Sequence, residues 1–263
     1  MSVNARRWAV LLAAIAAIGL TVSLGFWQLS RADQKQALAA QLAQQQALAP
    51  IGNLDWPCAM PTDPASWAQR PARLTGSWMS GHTVYLDNRQ MSGQPGFFVV
   101  TPFELQPVPA CGAKVVLVQR GWLPRHAHDR TQLPTLPIEA GVIQLQGRWQ
   151  PTPHQVYALG DEGALNPSIQ GPVLRQNMDA SAWRAWLPNV AWLPGVLLQT
   201  QPAAEPTAGQ TDPSLSTSLK RDWPAPDTGV DKHHAYAAQW FALAFTLTGL
   251  YVWFQLIRPR RAR

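Results

Sequence analysis

Two long apolar stretches, one near each end of the chain, dominate the pattern of hydrophobic and polar positions. Residues 8–29 and 235–257 contain no charged side chain. At about 1.5 Å of rise per helical residue, each stretch is long enough to cross a hydrocarbon core of about 30 Å. The pattern therefore predicts two transmembrane helices, which we assign to residues 8–30 and 233–257.

The chain between these two helices changes pattern three times. Residues 31–49 are rich in Ala, Gln and Leu and predict a helical extension of the first span, which Pro50 ends. Residues 50–200 contain short runs of Val, Leu, Thr and aromatic side chains separated by Gly and Pro, which is typical of antiparallel strands. Residues 201–232 are rich in Pro, Ser, Thr and Asp and predict a tether that leads to the second span.

Within the β-rich region, the expected strands are 73–78, 83–88, 97–105, 114–122, 142–150 and 190–199. Pro194 argues against regular pairing in the middle of the last strand. Asp179 is expected to cap a short helix that Pro188 ends. Asn88 and Arg89, with Gly93, are interpreted as residues of a hairpin turn.

These patterns predict a membrane α+β protein, in which a two-helix transmembrane hairpin encloses a mostly antiparallel, β-barrel-like extracytoplasmic domain. The formal net charge of +6 comes only from the two terminal segments, 1–7 and 258–263, because acidic and basic residues balance between them. Positive flanks favour the cytoplasm. We therefore expect both termini in the cytoplasm, the central domain in the periplasm and no nucleic-acid partner. The N-terminus has no transit-like leader, which favours a bacterial inner membrane.

Two features remain open from the residues alone. The Ala-Leu-Ala triplets at 37–39 and 47–49 are compatible with signal-peptide cleavage, although the first apolar stretch is longer than the usual signal core. An uncleaved anchor is the preferred interpretation. Cys58 and Cys111 form no CxxC motif, and an extracytoplasmic location would allow a disulfide between them.

Four ordered groups of residues resemble the surfeit-locus-one (Shy-one) family of cytochrome oxidase assembly proteins, bacterial type. They are Gly25-Phe-Trp-Gln-Leu-Ser-Arg31 with Lys35; Leu86-Asp-Asn-Arg89 with Pro95-Gly-Phe97 and Thr101-Pro102; Leu117-Val-Gln-Arg-Gly-Trp-Leu-Pro124; and Lys232-His233 with Tyr236-Ala237, Gln239-Trp-Phe241 and Ala244. The resemblance extends from about residue 8 to about residue 254 and includes the order of the two spans.

The resemblance implies a chaperone for respiratory-chain biogenesis that helps to build the haem a centre of haem-copper cytochrome c oxidase. Its implied partners are the oxidase core subunit, the haem a synthesis machinery and membrane lipid. It also implies that haem a is bound through a histidine at the mouth of the second span, and the Lys-His-x-x-Tyr-Ala pattern assigns that role to His233. Family members commonly carry an apolar residue next, where this chain has His234.

The residues themselves are chemically suited to such a ligand. A neutral imidazole is a good axial ligand for haem iron, so His233 is the predicted ligand and His234 is the next candidate. Helical spacing predicts that Tyr236 and Trp240 lie on or beside the face of His233. Trp27 and Arg31, at the outer end of the first span, complete the candidate site, with the arginine available for a haem propionate.

Two other functions are alternatives to a haem-binding assembly factor. A pure scaffold would stabilise an oxidase assembly intermediate without binding haem. A membrane-anchored enzyme would hide a site in the β domain, with Arg120, Asp129 and Arg130 as charged candidates. Because the sequence contains no GxxxxGK[ST], HExxH or GxSxG motif, we expect no catalytic residue and no enzymatic activity.

Overall fold

The computed structural model describes residues 3–126, 129, 133, 136, 140–157, 160, 162–202, 219–223 and 229–258. Contacts divide the chain into two compact units. One unit comprises Met1–Gln41 and Pro226–Arg263, and the other comprises Leu42–Ala225. The predicted residues Arg260, Arg261 and Arg263 of the basic tail and Arg130 lie outside the described residues.

The first unit contains most of one long helix and the whole of a second. Helix α1 spans Val3–Gln46, which is 44 residues, and so runs without a break through the ranges predicted as the first span and its extension. The second unit has a short helix, α2, which spans Ala180–Trp186. The second long helix, α3, spans Val230–Tyr251 and is followed by a π-helical turn over Val252–Ile257. Both long helices are apolar and long enough to cross a membrane. In the most apolar 18 residues of each helix, only 11% and 6% of the stretch is buried, whereas the core helix of a soluble domain is mostly buried.

The second unit is built around a closed five-stranded barrel. The strands are β1 (Pro71–Trp78), β2 (Val84–Met91), β3 (Gln94–Leu105), β4 (Val115–Pro124), β5 (Ile143–Gln150), β6 (Val173–Arg175) and β7 (Trp192–Gln199). The barrel order is β1-β5-β7-β4-β3, and pairing of β3 with β1 closes it. Strands β2 and β6 extend the sheet beyond β3. The predicted α+β fold class, with two apolar helices and a mostly antiparallel barrel, is confirmed.

Alternating apolar side chains fill the barrel. Strand β5 alternates buried and half-buried positions along its whole length, as expected for a strand with one face towards a core. The interior includes Leu74, Phe103, Val116, Val118, Leu145, Trp149 and Leu197. A second cluster lies where helix α2 (Ala180–Trp186) covers the sheet with Trp183 and Trp186.

Three parts of the sheet differ from the sequence-based expectation. The β2–β3 turn lies at Ser92 and Gly93, which both have positive φ. Asn88 and Arg89 lie in strand β2, so their assignment to the turn was wrong, whereas Gly93 is a turn residue as expected. Strand β6 was not predicted, because three half-buried residues give no periodic pattern. Strand β7 continues through Pro194 because its register with β4 shifts there, so that no regular pairing needs the missing N–H.

Residues 219–223, in the range predicted as a tether, pack on the β domain. Lys220 exchanges two backbone hydrogen bonds with Trp122, of 2.7 and 2.9 Å. Leu219 is buried, and the indole N–H of Trp223 donates to the carbonyl of Gln199 at 2.6 Å. Gly121 leaves room for this segment, since a Cβ there would lie 2.8 Å from the Cβ of Leu219. We call residues 219–223 the docking segment.

A disulfide joins Cys58 to Cys111, with the two Cα atoms 6.0 Å apart. It connects the irregular chain before β1 to the loop between β3 and β4. The same chain is also fixed by side-chain hydrogen bonds. The side-chain amide of Asn53 donates to the carbonyls of Thr75 and Pro107 and accepts a hydrogen bond from the backbone N–H of Thr75. The indole N–H of Trp56 donates to the carbonyl of Pro194 at 2.9 Å. The disulfide that the sequence left open is therefore present.

Candidate functional site

The two long helices approach each other closely where one of them carries glycine. A Cβ built on Gly25 would lie 2.6 Å from the ring of Phe241, so any larger residue would require that ring to move. Phe26 makes an edge-to-face contact with the same ring, with the centroids 5.4 Å apart. Ala237 and Ala244 on α3 are buried. Small residues of this kind allow helix backbones to pack closely in a membrane.

His233 lies in the first turn of α3, on the face that contacts α1. The helix begins after Gly229, whose φ of 53° is left-handed, and the N–H of His233 bonds the Gly229 carbonyl at 3.4 Å. The Nδ1 atom of His233 is 2.7 Å from Oε1 of Gln28 on α1. Both side chains are half-buried. The imidazole is therefore held by a polar contact between the two helices.

The structure does not gather the other predicted site residues around this contact. His234 and Tyr236 are exposed, and Trp240 is half-buried. Arg31 is exposed, with its guanidinium 5.7 Å from the ring centroid of Trp27 and Nη1 donating to Oε1 of Gln34 at 3.1 Å. These exposed side chains form the surface of the helix pair, where a ligand from outside the chain could meet them.

Gln28 is the residue of this site that sequence reasoning missed. It belongs to the Gly25–Arg31 family pattern but was not chosen as a candidate. A usable signal was present, because Gln28 follows Gly25 by three positions and precedes Ala32 by four, which places it on the helix face made of small residues. A polar side chain on such a face is expected to contact the partner helix.

The β domain contains a buried arginine, Arg89, whose guanidinium is hydrogen-bonded to oxygen atoms of the domain itself. Arg89 is 1% exposed, and its guanidinium donates to the carbonyls of Asp87, His154 and Gln176 and to Oδ1 of Asn177. Burial lowers the pKa of Arg89 to about 10, and the nearby carboxylates of Asp87 and Glu162 oppose that shift. His154 lies in the segment after β5, and Gln176 and Asn177 lie between β6 and α2, so Arg89 cross-links strand β2 to two separate loops.

Of the charged residues considered for a hidden enzyme site, the structure describes Arg120 and Asp129. Arg120 is buried in β4, with its guanidinium 4.4 Å from the ring centroid of Trp78. The backbone N–H of Asp129 donates to Nδ1 of His126 at 3.2 Å. Within the part of the chain that the structure describes, no group of three or more His, Cys, Asp or Glu side chains is arranged to hold a metal ion.

The β domain also has an apolar pocket of about 240 Å³ between α2, β7 and the disulfide-linked loop. Met60, Pro153, Trp183 and Trp192 are among its walls. Among the described residues that line it, Arg184 is the only charged one, so the pocket presents no acid–base pair.

Comparison with known proteins gives the family. The sequence profile of the SURF1 family matches residues 15–245, which include most of both long helices and the whole barrel. The chain belongs to the SURF1 family. It is 35% identical over 105 residues to a SURF1-like protein of Rickettsia felis, an alignment that covers 39% of this chain and 41% of the relative. A SURF1-like protein of Rickettsia conorii is 33% identical over 105 residues, covering 39% of each chain. The chain thus spans about two fifths of the length of these SURF1-like relatives.

Proposed function

We propose that this protein is an assembly factor for haem-copper cytochrome c oxidase that binds haem a at the membrane surface and aids its insertion into the oxidase core subunit. Membership of the SURF1 family supports the assembly role. The observation that carries the haem proposal is the imidazole of His233, bonded through one ring nitrogen to Gln28 at the start of an apolar helix.

The side chains present fit a haem. A neutral imidazole binds iron through one nitrogen while the other donates a hydrogen bond to a supporting group, and Gln28 is such a group for His233. Trp27 in the middle of α1, with Tyr236 and Trp240 in the first half of α3, offers aromatic surface that suits a flat apolar macrocycle. Arg31 offers an exposed guanidinium to a propionate.

When bound, haem a supplies the redox-active iron that the oxidase uses. This chain's residues hold that group as cargo: His233 is the iron ligand, and His234 is the next candidate. The end of the apolar span orients an amphipathic ligand. The apolar residues favour the porphyrin ring, and the polar residues outside the span favour the two carboxylates.

The proposed location is the bacterial inner membrane, crossed twice, with both termini cytoplasmic and the β domain periplasmic. Arg6 and Arg7 precede the first span and Arg258 follows the second, as the positive-inside rule requires. The disulfide supports a periplasmic β domain, since disulfides persist in oxidising compartments. Reporter fusions within 50–200 should behave as periplasmic, and cytoplasmic activity of those fusions would contradict this topology.

The test is to co-express the chain with a haem a synthesis system, purify it in mild detergent and record the absorption spectrum. We expect a Soret band that falls strongly in His233→Ala and disappears in His233→Ala/His234→Ala. His126→Ala, in the β domain, is the matched control and should keep the band. A full band in the double variant would refute the ligand assignment. An oxidase subunit that co-purifies with a haem-free wild-type chain would favour the scaffold function instead.

A further inference from the structure

We propose that Gln28 is a positioning residue for His233: its amide oxygen accepts a hydrogen bond from Nδ1–H and thereby selects Nε2 as the atom that binds iron. This inference rests on the proposed haem-binding function, and it assigns the atom of that site that meets the ligand and the residue that selects it.

The position of the proton on the His233 imidazole decides which ring nitrogen can bind iron. A neutral imidazole carries one N–H, and the nitrogen that carries it cannot bind a metal. Oε1 of Gln28 is an acceptor and lies 2.7 Å from Nδ1 of His233, which is a hydrogen-bond distance. The proton therefore belongs on Nδ1, and the lone pair that remains is on Nε2.

Side-chain packing one helical turn away supports the contact between Gln28 and His233. Gly25 lies one helical turn before Gln28, and its lack of a side chain lets the ring of Phe241 approach α1. Ala237 is buried one turn after His233 on the other helix. With the Phe241 ring against Gly25 one turn away, Gln28 reaches the His233 imidazole directly, at 2.7 Å.

His233 and its neighbour His234 differ in burial. His234 is exposed, whereas the half-buried His233 is on the side of α3 that faces α1. A supporting hydrogen bond orients a metal-binding imidazole and raises its basicity, and loss of such a partner typically costs 10–100-fold in metal affinity. His233 therefore has a supporting hydrogen-bond partner that orients its imidazole, and Gln28 on α1 supplies that partner to a ligand on α3.

The experiment has a haem-free arm and a haem-bound arm, both with the full-length chain in detergent or nanodiscs. In the haem-free arm, long-range proton–nitrogen spectra of ¹⁵N-histidine-labelled protein, assigned with His233→Ala, report which ring nitrogen carries the proton. We expect the proton on Nδ1 in the wild type and a mixture of both tautomers in Gln28→Leu. A wild-type imidazole with its proton on Nε2 would overturn the proposal.

In the haem-bound arm, Gln28→Leu should weaken haem binding about 10–100-fold, the range seen when a metal ligand loses its supporting partner. Gln28→Glu keeps an acceptor, so it should bind haem within about threefold of wild type and shift the reduction potential of the iron to more negative values, because a carboxylate makes the imidazole a stronger donor. Gln36→Leu, an exposed glutamine on the same helix, is the matched control and should match the wild type. Wild-type affinity in Gln28→Leu would overturn the positioning role. If no variant binds haem, including the wild type, the proposed haem function fails, and the nitrogen spectra alone decide the hydrogen bond.

Discussion

The disulfide between Cys58 and Cys111 should contribute a large part of the stability of the β domain. The perturbation is Cys58→Ser with Cys111→Ser, or chemical reduction of the wild type. The two cysteines are 53 positions apart, and cross-linking a loop of that length removes about 14 cal/mol/K of entropy from the unfolded chain, which is about 4 kcal/mol at 25 °C. Domains are typically stable by about 5–15 kcal/mol, so the loss would be substantial.

The native fold should survive this change. The chain before β1 keeps its other attachments, including backbone hydrogen bonds between Ile51 and both Pro71 and Arg73, of 3.0 and 2.9 Å. The effect therefore arises mainly in the unfolded state. Both cysteines are exposed, so a reductant reaches the bond without prior unfolding.

The assay is urea unfolding of the full-length chain in detergent, followed by near-ultraviolet circular dichroism, with and without dithiothreitol. At a slope of about 2 kcal/mol per molar urea, a loss of about 4 kcal/mol lowers the midpoint by about 2 M. The double serine variant should unfold where the reduced wild type does and should not respond to dithiothreitol. Oxidised and reduced wild-type chains that unfold within about 0.3 M of each other would refute the reasoning.

Three further predictions test packing and capping. Gly25→Ile should separate the two long helices and abolish the Nδ1 protonation preference in the haem-free nitrogen spectrum, whereas Gly19→Ile, which has open space around its Cβ, should leave that spectrum unchanged. Gly121→Val should lower the free energy of unfolding by about 1–3 kcal/mol, the range for overpacking, because the new side chain collides with the docking segment; unchanged urea unfolding would contradict that contact. Asp179→Ala should cost about 1 kcal/mol at pH 7 through loss of a helix cap, and the difference should shrink as the pH falls below about 4. Hydrogen bonds from the Ala182 backbone and the Ser181 side chain hold the pKa of Asp179 below its usual value, so its contribution is present above the unfolded-state pKa and is lost as the pH falls through the folded-state pKa; a difference between variant and wild type that is constant from pH 7 to pH 3 would contradict this assignment.

The pair of spans and the positions of most strands could be predicted because their signals are local. A run such as 235–257 is long and uncharged whatever it packs against, and backbone hydrogen bonding requires such a run to form a helix in lipid. Strand β5 alternates apolar and polar residues because one face is buried, and that pattern is visible in eight consecutive positions. The choice of His233 as a ligand, made from residues adjacent to it in the sequence, stays a prediction.

The sequence alone did not determine the contacts between residues that are distant along the chain. The parallel pairing of β4 with β7 and the closure of β3 on β1 depend on sheet twist and register, which no single strand contains. Arg89 follows Asn88 in a segment that resembles a turn, yet oxygens from loops up to 88 positions away bury it. Gln28 and His233 are 205 positions apart, and helix packing alone brings them within 2.7 Å. The apolar pattern is sufficient to determine two spans and a β domain because burial acts on each segment separately, whereas the partner of a polar side chain is decided only when the segments pack together.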